Sequence, residues 1–346
     1  RLHGKNKARP RHTEVIRYLL SKYPITRIIA QQFTERLNEK VIEEIMNQYE
    51  ACGLCPRNCK VNREKAQIGV CKVTSKLKVA RAALHYWEEP CISGTHGSGT
   101  VFFSGCSLHC VFCQNEEIAQ GRAGKEISKE RLAEIFLELQ EKKANNINLV
   151  TPGHYVPHII DAVENARNQG LKIPIVYNTS SYETIDTIKM LEGIVDVYLP
   201  DFKYYSSDLA ARYSKAPDYP IVAKQAIAEM VRQQPTPVFY EKDGQELIGK
   251  GVIVRQLLLP GQLQDAKQIV KYLYETYGNQ IYLSLMSQFT PLPHVENYPE
   301  LNRKISKRTY EGYIDYAIAL GVENGFIQEE DVATESFIPK FDNEGV

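Results

Sequence analysis

Three features are missing from this 346-residue chain: an excess of either charge, a long apolar run, and an apolar leader at the start of the given sequence. The 42 basic side chains are balanced by 42 acidic ones, so no net field attracts nucleic acid or an anionic membrane surface. A run of about 18 apolar residues, which a membrane-spanning helix would need, is absent from the sequence. We therefore expect a cytoplasmic protein without a membrane partner, and the charge balance gives no support for a nucleic-acid partner.

Cysteine is scarce as well, yet seven of the 8 cysteines are concentrated in two short segments. The upstream cysteines are Cys52, Cys55, Cys59 and Cys71, and the downstream cysteines are Cys106, Cys110 and Cys113. A disulfide framework is typical of small secreted domains, whereas close C-x2-C spacing in a long chain indicates metal binding or redox chemistry. The sequence therefore predicts two metal centres, with Cys91 as an isolated thiol between them.

The downstream cysteines have the spacing C-x3-C-x2-C within FFSGCSLHCVFCQN. A structural zinc ion needs four ligands, so zinc would require a further residue such as His109, Cys91 or His96. A [4Fe-4S] cluster held by three thiolates leaves one iron open to an outside ligand, and soft thiolates suit such clusters. Three inert thiols so close together would be a coincidence, so the spacing favours the cluster over zinc and over unliganded thiols.

The upstream cysteines supply four thiols in the spacing C-x2-C-x3-C-x11-C. Four sulfur ligands complete either a structural zinc site or a second [4Fe-4S] cluster, and the spacing does not distinguish the two. We predict a metal-stabilised knuckle. A cluster here would offer an electron relay, whereas zinc would fix this segment against the rest of the chain.

From position 100 onward, six β-rich runs alternate with helical patterns. The runs are TVFFS, INLVT, IPIVYN, VDVYLP, GVIVRQLLLPG and QIYLSLMS. Between the first two, apolar residues of KERLAEIFLELQ recur at helical spacing after Ser128, which is suited to the N-cap. Apolar strands that alternate with helices indicate an α/β fold with a parallel sheet covered by helices, either doubly wound or curled into a full or partial barrel.

Both architectures place functional side chains in loops at the carboxyl ends of the strands. The downstream cysteines follow the first run. The candidate binding residues that follow the next three runs are Thr151, Pro152, Gly153, Asn178, Ser180, Asp201 and Lys203. Arg255 lies inside an apolar run, where a guanidinium is costly unless it is paired or binds an anion. We therefore expect these residues to form one site.

The segment from Cys106 to Cys113 resembles the C-x3-C-x-aromatic-C signature of radical S-adenosylmethionine (SAM) enzymes, with Phe112 at the aromatic position. The longer run GCSLHCVFCQN looks like the branch related to the pyruvate formate-lyase activating enzyme. The segments LVTP, YLPDFKY, VRQLLLPG and YLSLMSQF are similar to recurring motifs of that branch, so the likeness extends from Cys52 to Gln288.

The resemblance implies a partial (β/α)6 barrel, preceded here by an N-terminal helical and Cys-rich extension. It also implies a [4Fe-4S] cluster on the downstream cysteines, SAM bound to its open iron, and a one-electron reductant such as flavodoxin or ferredoxin. The reduced cluster of this family cleaves SAM to methionine and a 5′-deoxyadenosyl radical, which takes hydrogen from a substrate. In the activating branch that substrate is a glycine of a glycyl-radical protein. Radical modification of a small molecule, peptide or RNA stays open, as does a noncatalytic iron-sulfur electron carrier or a zinc-stabilised binding protein.

Roles for individual residues follow from the same likeness. Thr151, Pro152 and Gly153 stand where the family often has a Gly-Gly-Glu segment that receives the methionyl amino group, although this chain has no acidic residue there. Asp201 and Lys203 match an Asp-x-Lys element that lies against the cofactor. An ion pair at the barrel rim is the alternative for these two.

Three further residues are expected near SAM. Arg255 suits a carboxylate in bidentate geometry, with a structural pair to Asp201 or another acid as the alternative. Asn178 and Ser180 are expected at the ribose or adenine, although capping of the following helix explains Ser180 equally well. His154 is expected in an exposed loop without a specific partner, and no residue is assigned to catalysis.

The expected organisation has four parts. Residues 1–50 form a basic arm and a helical region, and residues 51–99 form a Cys-rich metal-binding segment. Residues 100–290 form the radical SAM core, and residues 291–346 form a C-terminal helical extension.

Overall fold

The computed structural model describes residues 47–328 and 339–346. The predicted arm and helical region, 1–50, therefore lies outside the described residues except at its end. The chain divides into two units, 1–48 and 49–346, and the sheet and helices described here belong to the second. No helix in the described ranges is long and apolar enough to cross a membrane.

A sheet of ten described strands forms the centre of the unit 49–346. The strands are β1 (Lys78–His85), β2 (Ser98–Phe103), β3 (Lys125–Glu126), β4 (Ile147–Val150), β5 (Ile175–Thr179), β6 (Val197–Pro200), β7 (Val238–Lys242), β8 (Gln245–Leu257), β9 (Tyr282–Met286) and β10 (Gly325–Ile327). Their order is β10-β9-β8-β6-β5-β4-β2-β1-β3, and β7 pairs with β8 outside this path.

The six predicted runs are β2, β4, β5, β6, β8 and β9, and consecutive members of this set pair in parallel. They lie side by side in chain order, without the reversal of order that a doubly wound sheet requires. The alternative left open by the sequence is thereby decided in favour of a partial (β/α)6 barrel. Strand β1 adds an antiparallel edge to β2, and β10 adds a parallel edge to β9.

Helices alternate with the parallel strands. They are α1 (Pro90–Ser93), α2 (Glu116–Ala119), α3 (Lys129–Glu141), α4 (Val156–Asn168), α5 (Ile185–Lys189), α6 (Ser207–Ser214), α7 (Tyr219–Gln233), α8 (Leu263–Tyr277) and α9 (Lys307–Leu320). The prediction for α3 is confirmed, because the Ser128 side chain accepts a hydrogen bond from the Arg131 amide and the helix buries Leu132 and Phe136.

Two parts of the fold differ from the sequence prediction. The predicted run GVIVRQLLLPG is only the second half of β8, whose first half forms an antiparallel hairpin with β7. The hairpin turn is Asp243-Gly244, with φ of 52° and 73°, as a two-residue turn of this type requires. The helical pattern between the fourth and fifth runs is two helices, because Lys215 ends α6 in a left-handed conformation.

Candidate active site

A cavity of about 270 Å³ opens at the carboxyl ends of the parallel strands. Its walls include all three downstream cysteines. The predicted site residues that also line it are Thr151, Asn178, Ser180, Asp201, Lys203 and Arg255. Pro152 and Gly153 are buried next to this wall and are not among the described lining residues. The strand topology thus brings together the downstream cysteines and most of the candidate binding residues.

The loop that carries the downstream cysteines begins at Gly105, whose φ is 94°. A Cβ at this position would lie 2.7 Å from the carbonyl oxygen of Cys71, so a larger residue would clash as well as strain the backbone. The amide of Cys106 donates to the same Cys71 carbonyl at 3.3 Å. The loop is therefore packed directly against the segment of the upstream cysteines.

The rest of the loop is held by sulfur contacts and by aromatic packing. The hydroxyl of Ser214 donates to Cys110 Sγ at 3.2 Å, and the amide of Cys113 donates to the Cys110 carbonyl at 3.1 Å. Phe112 is buried and meets the ring of Tyr204 edge to face, with 6.3 Å between centroids. The aromatic residue of the motif therefore anchors the loop in the core, while the thiols stay at the cavity.

Burial raises the pKa of the thiols of Cys106 and Cys113, and the neighbouring Cys110 adds to the increase. Lys203 acts in the opposite direction on both. Because a bound metal takes thiolates rather than thiols, metal binding here would release protons, and the nearby ammonium would favour that release.

The three residues considered as a fourth zinc ligand make other contacts. His109 Nε2 is 2.7 Å from the Val70 carbonyl oxygen, and His96 lies beside Asp243. Cys91 is buried in a separate apolar cluster, so the prediction of an isolated thiol is confirmed. Among the described residues, no three His, Cys, Asp or Glu side chains are arranged to hold a single metal ion.

Arg255 is the centre of a polar network on the cavity wall. Its Nε donates to Asp201 Oδ1 at 2.8 Å, its Nη1 to Glu88 Oε2 at 3.0 Å, and its Nη2 to Asn178 Oδ1 at 2.6 Å. Lys203 Nζ donates to Asp201 Oδ2 at 2.7 Å. The two ion pairs that the sequence left open as alternatives, Asp201 with Lys203 and Asp201 with Arg255, are both present. All three side chains also line the cavity, so ion pairing does not remove them from the site.

The charged groups of this network shift one another's pKa values. Burial raises the pKa of Asp201, but Arg255 and Lys203 outweigh this effect and hold that pKa below its usual value. Burial likewise disfavours charged Lys203, but Asp201 holds the pKa of the ammonium above its usual value. The wall therefore keeps its acid ionised and its cations charged near neutral pH.

Sequence reasoning missed Glu88 and Glu89, which follow β1. Glu88 Oε1 accepts from Asn148 Nδ2 at 3.0 Å, and its other oxygen binds Arg255. Glu89 is buried, and burial raises its pKa, although Arg255 opposes the increase. Two adjacent acids before Pro90, directly after an apolar run, were the available signal.

The capping alternative for Ser180 and the predicted exposure of His154 are both wrong. Ser180 does not cap the following helix, because Thr184 is the residue whose side chain caps α5. His154 is not exposed, since its Nε2 lies 2.8 Å from the Ser104 carbonyl oxygen and burial lowers its pKa to about 3. A short 3-10 helix after β4 turns the ring inward instead of leaving it in an open loop.

Comparison with known proteins relates part of this site to a known family. Residues 100–232 match the family model described as Radical SAM superfamily. This segment is a radical SAM domain. An uncharacterized protein of Methanocaldococcus jannaschii is 28% identical over 284 residues, which cover 80% of this chain and 77% of that protein.

Solved structures with a related arrangement are more distant. Streptococcus suis SuiB bound to S-adenosylmethionine is 15% identical with a TM-score of 0.45, over 65% of this chain and 48% of SuiB. A domain of pyruvate-formate lyase-activating enzyme from Bacteroides vulgatus is 12% identical with a TM-score of 0.38, over 54% of this chain and 100% of that domain. This chain thus spans about half the length of SuiB, and the assignment of the radical SAM domain rests on the family match.

The cofactors of the radical SAM domain are a [4Fe-4S] cluster and SAM. The residues present fit both. Three thiols at one cavity, with no further cysteine among its described lining residues, match a cluster that keeps one iron open. The acidic and basic side chains of the Arg255 network face the same space and suit a zwitterionic methionyl group.

Proposed function

We propose that this protein is an enzyme that cleaves SAM reductively and uses the product to abstract hydrogen from a substrate. One observation carries the proposal: the cavity joins the downstream cysteines to the buried network of Asp201, Lys203 and Arg255. When bound, the cluster and SAM supply one-electron cleavage of the S–C5′ bond to methionine and a 5′-deoxyadenosyl radical. An electron carrier without a substrate would not need this network at its metal.

Lys203 is the residue that we propose to meet the SAM carboxylate. An ammonium has three N–H donors, and Asp201 accepts one of them in the structure. The remaining donors face a cavity that is large enough for a ligand. Asp201 has further lone pairs on both oxygens, so it accepts from a ribose hydroxyl or the methionyl ammonium.

Arg255 acts mainly by positioning its neighbours. Three of the five guanidinium N–H donors are already engaged, by Asp201, Glu88 and Asn178. The guanidinium fixes the orientation of these three side chains and adds positive charge beside the carboxylate of SAM. Asn178 accordingly contributes through the network.

Thr151 and Ser180 complete the polar part of the proposed SAM site, and Pro152 and Gly153 support the Thr151 backbone from behind the wall. Apolar side chains close the rest of the cavity. They include Phe102, Val150, Leu257 and Met286. Such walls exclude water and competing hydrogen donors from a reactive carbon radical.

The proposed hydrogen donor is a glycine in a partner protein. This part rests on the resemblance of GCSLHCVFCQN and the accompanying motifs to the activating-enzyme branch. Flavodoxin or ferredoxin is the proposed source of the electron.

The test is anaerobic reconstitution of the full chain with iron and sulfide, reduction, and quantification of 5′-deoxyadenosine and methionine. We expect both products in equal amounts, formed slowly without the true substrate. A fully loaded protein that forms neither above the level of the downstream triple Cys→Ala variant would refute the enzyme proposal. A glycyl-radical signal in a co-purified partner supports the activator assignment, and products without any such partner favour another substrate.

A further inference from the structure

Arg63 is a buried guanidinium with an exposed fraction of only 1%. Its Nη1 donates to the His154 carbonyl at 2.7 Å, and its Nη2 donates to the Thr74 carbonyl at 2.7 Å. The guanidinium carbon lies 4.7 Å from the ring centre of Tyr49 and 5.6 Å from that of Tyr155. Its Nε is buried and has no hydrogen-bond partner in the part of the chain that the structure describes.

Among the described residues, this charge has no carboxylate partner. The ion pairs of residues 47–328 and 339–346 do not include Arg63. Burying an ion away from water costs several kcal/mol unless an opposite charge compensates it. The sulfur of Cys52 lies 3.9 Å from Nη1, which makes the upstream cysteines the available source of negative charge.

The four upstream cysteines lie near one another, because the charge of Cys52 and Cys71 is felt at Cys55, and that of Cys52 and Cys59 is felt at Cys71. The amide of Cys52 donates to the Val61 carbonyl, and the amide of Lys60 donates to the Cys52 carbonyl, both at 3.0 Å. The amide of Val70 donates to Cys59 Sγ at 3.4 Å. This part of the chain forms a tight double loop in which at least one thiol sulfur already accepts a hydrogen bond.

The loop also contains strained backbone. Four non-glycine residues have left-handed φ: Asn58 (43°), Lys60 (56°), Ala66 (59°) and Lys72 (66°). Such conformations cost on the order of 1 kcal/mol each and persist where other interactions fix them. The apolar cluster here is small, with Tyr49, Cys52 and Leu54 as its buried members. A cross-link among the cysteines would supply the missing constraint.

We propose that the upstream cysteines bind a second metal centre through four thiolates, and that Arg63 is its buried counter-charge. Four thiolates carry more negative charge than one zinc ion can neutralise, and the same holds for an iron-sulfur core of this ligand set. The guanidinium offsets this excess. The carbonyl of Cys71 accepts a hydrogen bond from the Cys106 amide, but none of the four upstream cysteines is among the described residues that line the cavity. The proposed centre therefore lies behind the cavity wall.

The first test is a metal inventory of the full chain, purified without air. The triple variant Cys106→Ala, Cys110→Ala, Cys113→Ala removes the downstream ligands and should retain either about one zinc, or iron with matching sulfide, per chain. Cys55→Ala and Cys71→Ala in the same background should lose it, whereas Cys91→Ala, a buried thiol outside both sets, should not. A triple variant without bound zinc or iron would overturn the proposal. This inventory is independent of SAM cleavage.

The second test addresses Arg63. Arg63→Met keeps the bulk of the side chain but removes its charge, so a chelator should extract the metal roughly 10- to 100-fold faster. Arg63→Lys should restore much of the retention because it keeps a cation. Equal extraction rates for Arg63→Met and the native chain, measured with the folded variants, would contradict the counter-charge role.

Discussion

The two cysteine sets contact each other through the hydrogen bond from the Cys106 amide to the Cys71 carbonyl, yet they differ in access and in charge. The downstream thiols are half-buried, line a cavity and share it with an ammonium. The upstream thiols are mostly buried and lie beside the guanidinium of Arg63. Three ligands at an open space suit a metal that binds a further molecule, whereas four ligands in an enclosed loop suit a metal that holds the chain. We therefore expect cysteine to serve reactivity in the downstream segment and structure in the upstream segment.

The largest expected effect separates the two sets completely. Replacing Cys106 by Ala should abolish the cluster of the radical SAM domain and all SAM cleavage, because the described cavity lining holds no cysteine beyond the three of the downstream set that could replace the lost ligand. Cys55→Ala should leave the downstream iron in place. Iron analysis, the visible absorption of the cluster and 5′-deoxyadenosine formation measure the difference. Retention of the cavity cluster after Cys106→Ala, or its loss after Cys55→Ala, would contradict the assignment of the two cysteine sets to separate metal sites.

The downstream set was predictable from the sequence because its ligands are close in the chain. C-x3-C-x2-C brings three thiols together whatever the backbone does, and Phe112 occupies the aromatic position. The six parallel strands were predictable for a similar reason, since each is a continuous apolar run. These features depend on local spacing alone.

The network around Arg255 was only partly predictable. Its position in an apolar run showed that the charge must be paired, but not that Glu88, which precedes the barrel, supplies one of the pairs. Arg63 gave no signal, because a basic residue among Asn62, Glu64 and Lys65 reads as solvent-exposed. Burial of such residues is set by contacts between distant segments, which periodicity does not encode.

A second expected effect compares two buried carboxyl groups: Asp201, which lines the cavity, and Glu183, which is not among the described lining residues. Strand β5 supplies the described side-chain donors to Glu183, and both are neutral: Thr179 Oγ1 at 2.7 Å and Tyr177 OH at 3.4 Å. Burial therefore raises the pKa of Glu183 to about 7, whereas Arg255 and Lys203 hold that of Asp201 low.

The sign of the effect follows from proton binding. A carboxyl whose pKa is higher in the folded state stabilises the fold below its unfolded value, 4.5, and this contribution is lost as the pH rises through about 7. The loss amounts to about 3 kcal/mol. Glu183→Gln should remove that part of the pH dependence, measured by urea unfolding between pH 5 and pH 8, while the exposed Glu134→Gln should not. Parallel pH profiles for the native chain and Glu183→Gln would show that Glu183 is not the titrating group.

The smallest expected effect distinguishes binding from metal retention at the cavity itself. Lys203→Ala and Arg255→Ala should each keep the iron of the downstream cysteines, because neither side chain bears a sulfur ligand, but should weaken SAM binding by roughly 1 to 3 kcal/mol. Lys203→Ala should weaken SAM binding directly, because it removes the proposed donor to the SAM carboxylate. Arg255→Lys should bind SAM more tightly than Arg255→Ala, because it keeps a cation next to Asp201.

The matched control for Arg255→Ala is Arg167→Ala. Arg167 also forms an ion pair with an aspartate, Asp196 at 3.2 Å, but that pair lies at the amino end of β6, away from the cavity. Equilibrium binding of SAM to the reconstituted proteins, with iron measured in the same samples, gives the comparison. If Arg167→Ala weakens SAM binding as much as Arg255→Ala does, the loss reflects general destabilisation. If Lys203→Ala binds SAM like the native chain, its ammonium serves only to pair with Asp201, and the carboxylate of SAM must be met by another group.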